Sequence, residues 1–515
     1  MKLLKRHWAL FLYLLVYGGL NLLFLTDFPL VHSDESWLGG LSRHMLAEGS
    51  LAVTEPFFTA KPRFQHCFKS LFHLLQQAVI AAGGFTPFAL RALSLFAALC
   101  TIAAFYFCAL RLVCRRGLAL ACTLVLSLDI QFIYAAHFAR SEIMLLFFLC
   151  LCLFTLAGRA LTVKSALSCA AFTAAALLIH PNAFFLACCC GTVLLAEGLI
   201  YRKSLKPLAA YCGATGLLAL LPVLASYAIS PHFLKRYFEY GAGEFDLAAG
   251  PAAKFTDLFG FFSRLWHRQS GTYYLPDIRP QLALGLGLCL LCGIFALAMH
   301  KEQPAAARSC LLLLAAQTGL VGGIAALGRL NQTSIVFLLP GSCLLLAFAV
   351  QLFSEHHTAA ALCGLAALSL VFSCGQILPI AKGPGYEEYT RQIAQFVPAD
   401  APTLANLNTG FYFEDGALLD YRNLPFAQGD EGVARFCRQS GVEYILYSDE
   451  LDYIYEHRPY FNVIYGSPLF VEELRRFCRE ECTPLGQFYN PRYGKRINAL
   501  MNDPDYGHVT VYKVN

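Results

Sequence analysis

The sequence predicts a polytopic α-helical membrane protein that carries a soluble α/β domain at its C-terminal end. Three observations lead there. Hydrophobic residues make up 57% of the 515-residue chain and charged residues only 14%, where a soluble protein carries roughly 25% charge. About eleven apolar stretches approach the ~20 residues that cross a bilayer as a helix. After residue 381 the apolar runs stop, and the rest of the chain reads as a domain of ordinary size.

The first stretch, Trp8 to Thr26, follows Lys2, Lys5 and Arg6 and is not followed by a small-x-small cleavage site. It therefore reads as a retained span and not as a signal peptide. Further spans are expected at 87–110, 117–135, 143–158, 165–180, 182–200, 208–229, 281–299, 310–327, 335–353 and 359–381. His180-Pro181-Asn182 is either a tight turn between two spans or a break in one longer element. Basic residues set the orientation. Lys2, Lys5, Arg6, then Arg111, Arg115 and Arg116, then Arg202, Lys203 and Lys206 fall on one side, while short loops on the other carry only Arg140 and Arg329. The positive-inside bias puts the N-terminus in the cytoplasm and the C-terminal domain outside. The loop at Ser354 to His357 has no Lys or Arg, so the last two spans are oriented by counting.

Two long loops then lie outside, at about 28–86 and 230–280. Phe64, Phe68, Leu71 and Phe72 can form one face in the first, a pattern suited to amphipathic helices at the interface. Gly383-Pro384-Gly385 reads as a linker dividing a membrane domain, 1–381, from a soluble domain, 382–515. In the latter, Tyr386 to Phe396 and Val471 to Arg479 have helical periodicity, and Val442 to Tyr447 and His508 to Tyr512 read as strands. Most of the 21 cysteines sit inside apolar runs and behave as small hydrophobes. There is no pair of Cys-x-x-Cys motifs to suggest a metal. Cys437, Cys478 and Cys482 are free thiols or contribute to a disulfide. The net charge of +5 is spread along the chain, which excludes a nucleic-acid footprint, and no glycine-rich nucleotide loop is visible.

Chemistry concentrates where spans meet outside loops. Asp34 and Glu35 are adjacent carboxylates just past the first span, and a carboxylate at a lipid boundary must be solvated or partnered. Ser33 and Asp34 are also good N-cap residues, so a plain helix cap is the alternative. On the same face lie Lys61-Pro62, Arg91, Arg140-Ser141-Glu142, and Arg329 with Asn331. Such cations can hold a phosphate, and a nearby carboxylate can take a proton from a hydroxyl or amine. Each has a simpler reading: a solvated loop lysine for Lys61, helix-end anchors for Arg91 and Arg140, a dipole-favoured helix acid for Glu142. Tyr273 and Tyr274 are belt aromatics or sugar-stacking platforms. His66, His73 and Glu55 are a weak metal set, with interface or core histidines the simpler reading.

In order along the chain, Asp34-Glu35, Leu41-Ser42-Arg43-His44-Met45, Phe57-Phe58-Thr59-Ala60-Lys61-Pro62, Arg91-Ala92-Leu93-Ser94 and Ala139-Arg140-Ser141-Glu142 resemble the landmarks of the GT-C glycosyltransferases. The group meant is the one containing protein O-mannosyltransferases and bacterial lipid A aminoarabinose transferases, and the resemblance covers about residues 1–381. It implies a GT-C-like membrane domain and inverting transfer of a hexosyl or pentosyl unit. The sugar passes from a polyprenyl-phosphate-linked donor to a lipid, glycan or protein acceptor at the outer face of a bacterial cytoplasmic membrane. Asp34 is then the catalytic base or the acid that positions the acceptor, Glu142 the second acid, and Glu35, Lys61, Arg91, Arg140, Tyr273 and Arg329 substrate-binding residues. No cofactor is required, although the site is compatible with a divalent metal. Arg63 stands where the family has a second Pro, and Glu142 where many relatives have Asp. The rival readings are a flippase of lipid-linked glycans, a non-catalytic scaffold displaying the outer domain, and a lipid-linked polymerase or ligase of related fold.

Overall fold

A chain this apolar must satisfy its backbone polar groups within each crossing segment, and helices do so. The computed structural model describes residues 5–515 apart from 61, 63, 158–160, 246–248, 269–275, 329, 354–356, 428–431, 458–469, 498–499 and 501–502. The membrane part runs α1 (Trp8–Leu22), α2 (Ser33–Ala47), α3 (Ser70–Gly83), α4 (Pro87–Val113), α5 (Arg116–Ser127), α6 (Ile130–His137), α7 (Glu142–Leu156), α8 (Val163–Leu177) and α9 (Ala183–Ile200). It continues with α10 (Lys206–Ile229), α11 (Phe233–Phe245), α12 (Pro251–Trp266), α13 (Arg279–Ala298), α14 (Pro304–Leu327), α15 (Leu339–Phe353) and α16 (Thr358–Ala381).

Among the described residues, seven helices are long and apolar enough to cross a membrane, and α5 with α6 forms an eighth if that pair, bent by 69°, is one span. The remaining expected spans are the apolar helices α1, α7 and α8, each of 15 residues. The His180-Pro181-Asn182 segment is a turn, with the Asn182 N–H donating to His180 Nδ1 at 3.0 Å. The helices α10 and α13 leave leucines such as Leu217, Leu224, Leu286 and Leu290 exposed, as lipid-facing peripheral spans do. Both long loops are helical: α2 and α3 occupy the first, α11 and α12 the second.

The C-terminal part adds α17 (Tyr386–Ala394), β1 (Thr403–Ala405), β2 (Leu418–Asp420), α18 (Gly432–Gln439), β3 (Tyr444–Ser448), α19 (Glu450–His457), α20 (Phe470–Glu481), β4 (Cys482–Tyr489) and β5 (His508–Val514). The sheet order is β2-β1-β3-β5-β4, with β1 parallel to β2 and β3, and β5 antiparallel to β3 and β4. Period-two alternation gives the sheet two different clients. Leu404, Ile445 and Tyr447 pack with Leu474, Phe477 and the free thiols Cys437, Cys478 and Cys482. Ala405, Tyr444 and Leu446 share a second core with Phe28, Val31, Phe57, Phe58 and Tyr134 of the membrane part. Helix α2 is the docking rail. Ser36 donates to the Leu407 carbonyl, Arg43 Nη1 to the Phe413 carbonyl at 2.8 Å, and His44 Nδ1 lies 2.9 Å from Asp415.

Within the bundle, α9 and α14 cross where glycine removes the side chain. A Cβ at Gly319 would lie 2.6 Å from the Cys188 carbonyl oxygen and 2.8 Å from Cys189 Cα, and one at Gly323 3.1 Å from Phe185 Cα. Small residues four apart let backbones approach in this way. Gly322, by contrast, has nothing within 4 Å of its Cβ position. Gly319→Leu is therefore expected to destabilise by about 1–3 kcal/mol through overpacking, while Gly322→Leu leaves the thermal midpoint in detergent unchanged. Equal midpoints for the two variants would contradict this crossing.

Candidate active site

The site begins at the N-terminus of α2, where the cap is not the one the sequence suggests. Neither Ser33 nor Asp34 takes that role. His32 does: its Nδ1 accepts the Asp34 N–H at 3.0 Å, and the Glu35 carboxylate accepts the His32 N–H at 2.8 Å. This is the reciprocal logic of a capping box with histidine in the usual Ser/Thr place. The Asp34 carboxylate is thereby left out of the capping bonds, in the first helical turn where the macrodipole favours negative charge.

Adjacent helical residues diverge by about 100°, and the acidic pair divides accordingly. Glu35 turns inward. Its oxygens accept from Arg91 Nε and Nη2, both at 2.8 Å, and from the Ala139 N–H at 3.0 Å. Arg91 Nη1 donates to the carbonyls of Leu25 (3.0 Å) and Pro29 (2.9 Å). Both side chains are 0% exposed. Glu35 and Arg91, expected at the substrate, are closed to solvent and bonded to each other and to backbone groups, and they tie α2 to α4, to the loop after α1 and to the segment before α7.

Asp34 turns outward and meets Arg140, with Asp34 Oδ2 3.0 Å from Nη1. The other arm of Arg140 reaches Glu142 at 2.9 Å. Glu142 Oε1 also accepts from Thr333 Oγ1 at 3.0 Å, and its Oε2 is buried without a hydrogen-bond partner. The three predicted residues Asp34, Arg140 and Glu142 thus form one chain, exposed at the Asp34 end (26%) and closed at the Glu142 end (5%). The remaining predicted residues, Lys61, Tyr273 and Arg329, lie outside the described residues.

Two groups that the sequence did not single out come from the C-terminal domain. Arg496 Nη2 donates to Ser33 Oγ at 2.7 Å, and the Arg422 guanidinium lies 4.8 Å from the Trp37 ring centre. No periodicity or motif marks either one, since their place depends on docking across more than 380 positions. Thr333, which donates to Glu142, stands two residues after Asn331 and carries no signal of its own in the sequence.

Charge at the site follows from this company. Burial alone would raise the Asp34 pKa; His32, Arg140, Arg422 and Arg496 outweigh it and bring it down to about 2. Burial pulls His32 down to about 3, so His32 is uncharged at neutral pH and the three arginines are what keep Asp34 ionised. Burial also opposes the Arg140 charge, and Glu142 with Asp34 overcomes it and keeps Arg140 protonated. Arg140 lies between the two carboxylates, 3.0 Å from Asp34 and 2.9 Å from Glu142. A separate donor set, Cys152, Cys169 and Cys190, brings three sulfurs within 4.8 Å of one another, which suits a soft ion. Its member Cys152 is ten residues along α7 from Glu142, about 15 Å at 1.5 Å per residue. The weak histidine set is engaged otherwise, with His73 Nδ1 2.8 Å from Ser42 Oγ.

Two outcomes check this geometry. Arg91→Ala, which leaves the Glu35 charge buried and unpaired, is expected to cost about 3–5 kcal/mol, and the double change Glu35→Leu/Arg91→Met less than Arg91→Ala alone, by thermal unfolding in detergent. His32 has a folded pKa below its ordinary 6.5, so its stabilisation is complete above pH 6.5 and is lost as pH falls towards 3. His32→Asn, which keeps a capping side chain, should remove that part of the pH dependence; identical pH profiles would contradict the assignment.

No protein-family model and no curated protein sequence matches the chain. Solved structures do. ArnT from Cupriavidus metallidurans, solved bound to undecaprenyl phosphate, aligns with a TM-score of 0.50 at 15% identity, covering 99% of this chain and 98% of that one. The oligosaccharyltransferase AglB from Archaeoglobus fulgidus, solved with an inhibitory peptide and a dolichol-phosphate, aligns with a TM-score of 0.53 at 14% identity, covering 91% of this chain and 72% of that one. At such identities the likeness is one of fold, and that fold is GT-C: a polytopic helical membrane domain followed by a C-terminal domain built on a small sheet.

Proposed function

We propose that the chain is an inverting glycosyltransferase that takes a sugar from a polyprenyl-phosphate carrier at the outer face of a cell membrane. The observation that carries this reading is an ionised, partly exposed Asp34 whose neighbour Arg140 is braced from behind by Glu142. The lipid phosphates bound by ArnT and AglB, proteins of the same fold, and the apolar spans around the site support the donor class.

In the proposed reaction an acceptor hydroxyl or amine donates a hydrogen bond to Asp34 and attacks the anomeric carbon. The sugar–phosphate C–O bond breaks on the opposite side, and the polyprenyl phosphate leaves with that electron pair. The acceptor's proton passes to Asp34. A carboxylate with a pKa near 2 is a weak base, so it orients the acceptor first and takes the proton late, when the new bond has made the hydroxyl acidic. Phosphate is already a good leaving group, which leaves positioning and charge stabilisation as the protein's task. Lys61 keeps the phosphate-binding role its resemblance implies. The acceptor is a lipid, glycan or protein.

Reconstitution in liposomes with a panel of polyprenyl-phosphate sugars tests the reading. Asp34→Asn is expected to lower kcat by about 10²- to 10⁴-fold with unchanged thermal stability. Turnover that survives this change, or a wild type inert towards every donor, sinks the proposal. In the same assay EDTA should leave turnover intact, because Arg140 supplies the charge between the acids; loss restored by a divalent ion would assign that place to the metal.

A further inference from the structure

Three thiols meet inside the membrane part, away from the carboxylate site. Cys152 on α7, Cys169 on α8 and Cys190 on α9 are each 0% exposed, and their Sγ atoms all lie within 4.8 Å of one another. All three are free cysteines. Each comes from a different helix, so no Cys-x-x-Cys spacing announces the group in the sequence. Among the described residues it is the one set of three His, Cys, Asp or Glu side chains brought this close.

A buried cysteine ordinarily serves as a small apolar filler with a weak donor, and other thiols of the bundle find a carbonyl on a neighbouring helix. Cys122 Sγ donates to the Cys343 carbonyl at 3.3 Å and Cys292 Sγ to the Leu345 carbonyl at 3.7 Å. In the cluster, Cys152 and Cys169 reach only each other's carbonyls, at 4.0 and 3.9 Å. Sulfurs bound to one ion at about 2.3 Å stand about 4 Å apart, so side-chain shifts of under about 1 Å close the set on a metal. The thiols also have polar company. Thr173, one turn along α8 from Cys169, has its Oγ1 3.0 Å from the Tyr211 hydroxyl, and both residues are buried. Hydroxyls so placed can donate to thiolate sulfur, as the neighbours of metal ligands do. A cavity lined by Leu153, Leu156, Val193 and Arg308 gives an approach. Leu156 and Val193 stand one turn from Cys152 and Cys190 on the same helix faces, and Arg308 is partly exposed.

We propose that Cys152, Cys169 and Cys190 bind a thiophilic d10 cation that staples α7, α8 and α9 together. Sulfur donors select such ions over the hard cations that oxygen sets hold, and among the described residues no imidazole or carboxylate joins the three thiols. Three sulfurs match a monovalent copper ion. A divalent zinc or cadmium ion takes a fourth ligand, for which the Tyr211 hydroxyl, a hydrogen-bond neighbour of Cys190, is at hand. Binding releases thiol protons to solvent. The inference is independent of the glycosyltransferase reading, since the thiols share only α7 with the Asp34–Arg140–Glu142 chain.

The test uses the full-length chain in detergent, reduced, stripped of metal and titrated with Cu(I) buffered by bicinchoninate and, separately, with Cd(II). One tight equivalent per chain is expected, with a rise in the thermal midpoint and with X-ray absorption showing three sulfurs at about 2.3 Å. Cys152→Ala/Cys190→Ala should lose that equivalent and that rise. Cys122→Ala/Cys292→Ala, which removes two other buried thiols, should keep both. Tighter binding of Cu(I) supports the three-sulfur site, and tighter binding of Cd(II) supports the same thiols with a fourth ligand. Where the double variant does not fold, Cys190→Ser takes its place, and the sulfur count is read on the wild type without any variant. Nitrogen or oxygen donors in place of the three sulfurs overturn the proposal. So do a wild type that takes up neither ion, equal uptake by wild type and the cluster variant, and a disulfide joining two of the three thiols in the purified protein.

Discussion

The site depends on a salt bridge that is closed to solvent on every side. Glu35 and Arg91 are buried completely, and their hydrogen bonds join four separate segments: α2, the loop after α1, α4 and the stretch leading into α7. A lone charge in such a place would be untenable, so each requires the other, and together they require every backbone group they bind. With Glu35 fixed inward and His32 capping the helix, Asp34 has one direction left. Its outward position is a consequence of the pair's geometry.

Around that carboxylate the balance of charge is set by competition between burial and neighbours. Burial favours neutral groups, and it succeeds with His32. It fails with Asp34 and Arg140 because each is opposite the other's charge at bonding distance and further arginines stand nearby. The result is an ion chain that runs from a partly open carboxylate through a guanidinium to a closed one. Thr333 satisfies one oxygen of the closed end, which connects the site to the segment before α15.

Much of this architecture was legible in the sequence, and the parts that were not share a cause. Apolar runs gave the span positions because lipid imposes helix length directly, and the sheet domain showed through strand alternation at Tyr444–Ser448 and His508–Val514. Asp34, Arg140 and Glu142 could be picked out because ionisable residues at span ends are conspicuous against an apolar background. Glu35 and Arg91 were picked out by the same signal, which does not tell a buried pair from an open one. Which of two adjacent acids faces inward depends on helix phase, and the phase was set by a histidine cap that the sequence did not advertise. Arg422 and Arg496 had no signal at all, being two arginines among many in a polar domain whose docked position no local pattern encodes. The bend between α5 and α6 falls at Asp129, which caps α6 by accepting the Gln131 N–H at 2.8 Å, a signal that a single span over 117–135 ran through.

The two-sided sheet carries a consequence for how the protein is made. One face of β1 and β3 is completed by the domain's own helices, but the other is completed by Phe28, Phe57 and Tyr134, which belong to segments translated hundreds of residues earlier. The later-made portion therefore matures against a surface that exists only after the earlier portion has been inserted and packed. A ribosome product that stalls early, or inserts wrongly, never assembles the cationic surroundings of its carboxylate. Docking of the two portions and assembly of the charged surroundings of Asp34 are in this way the same event.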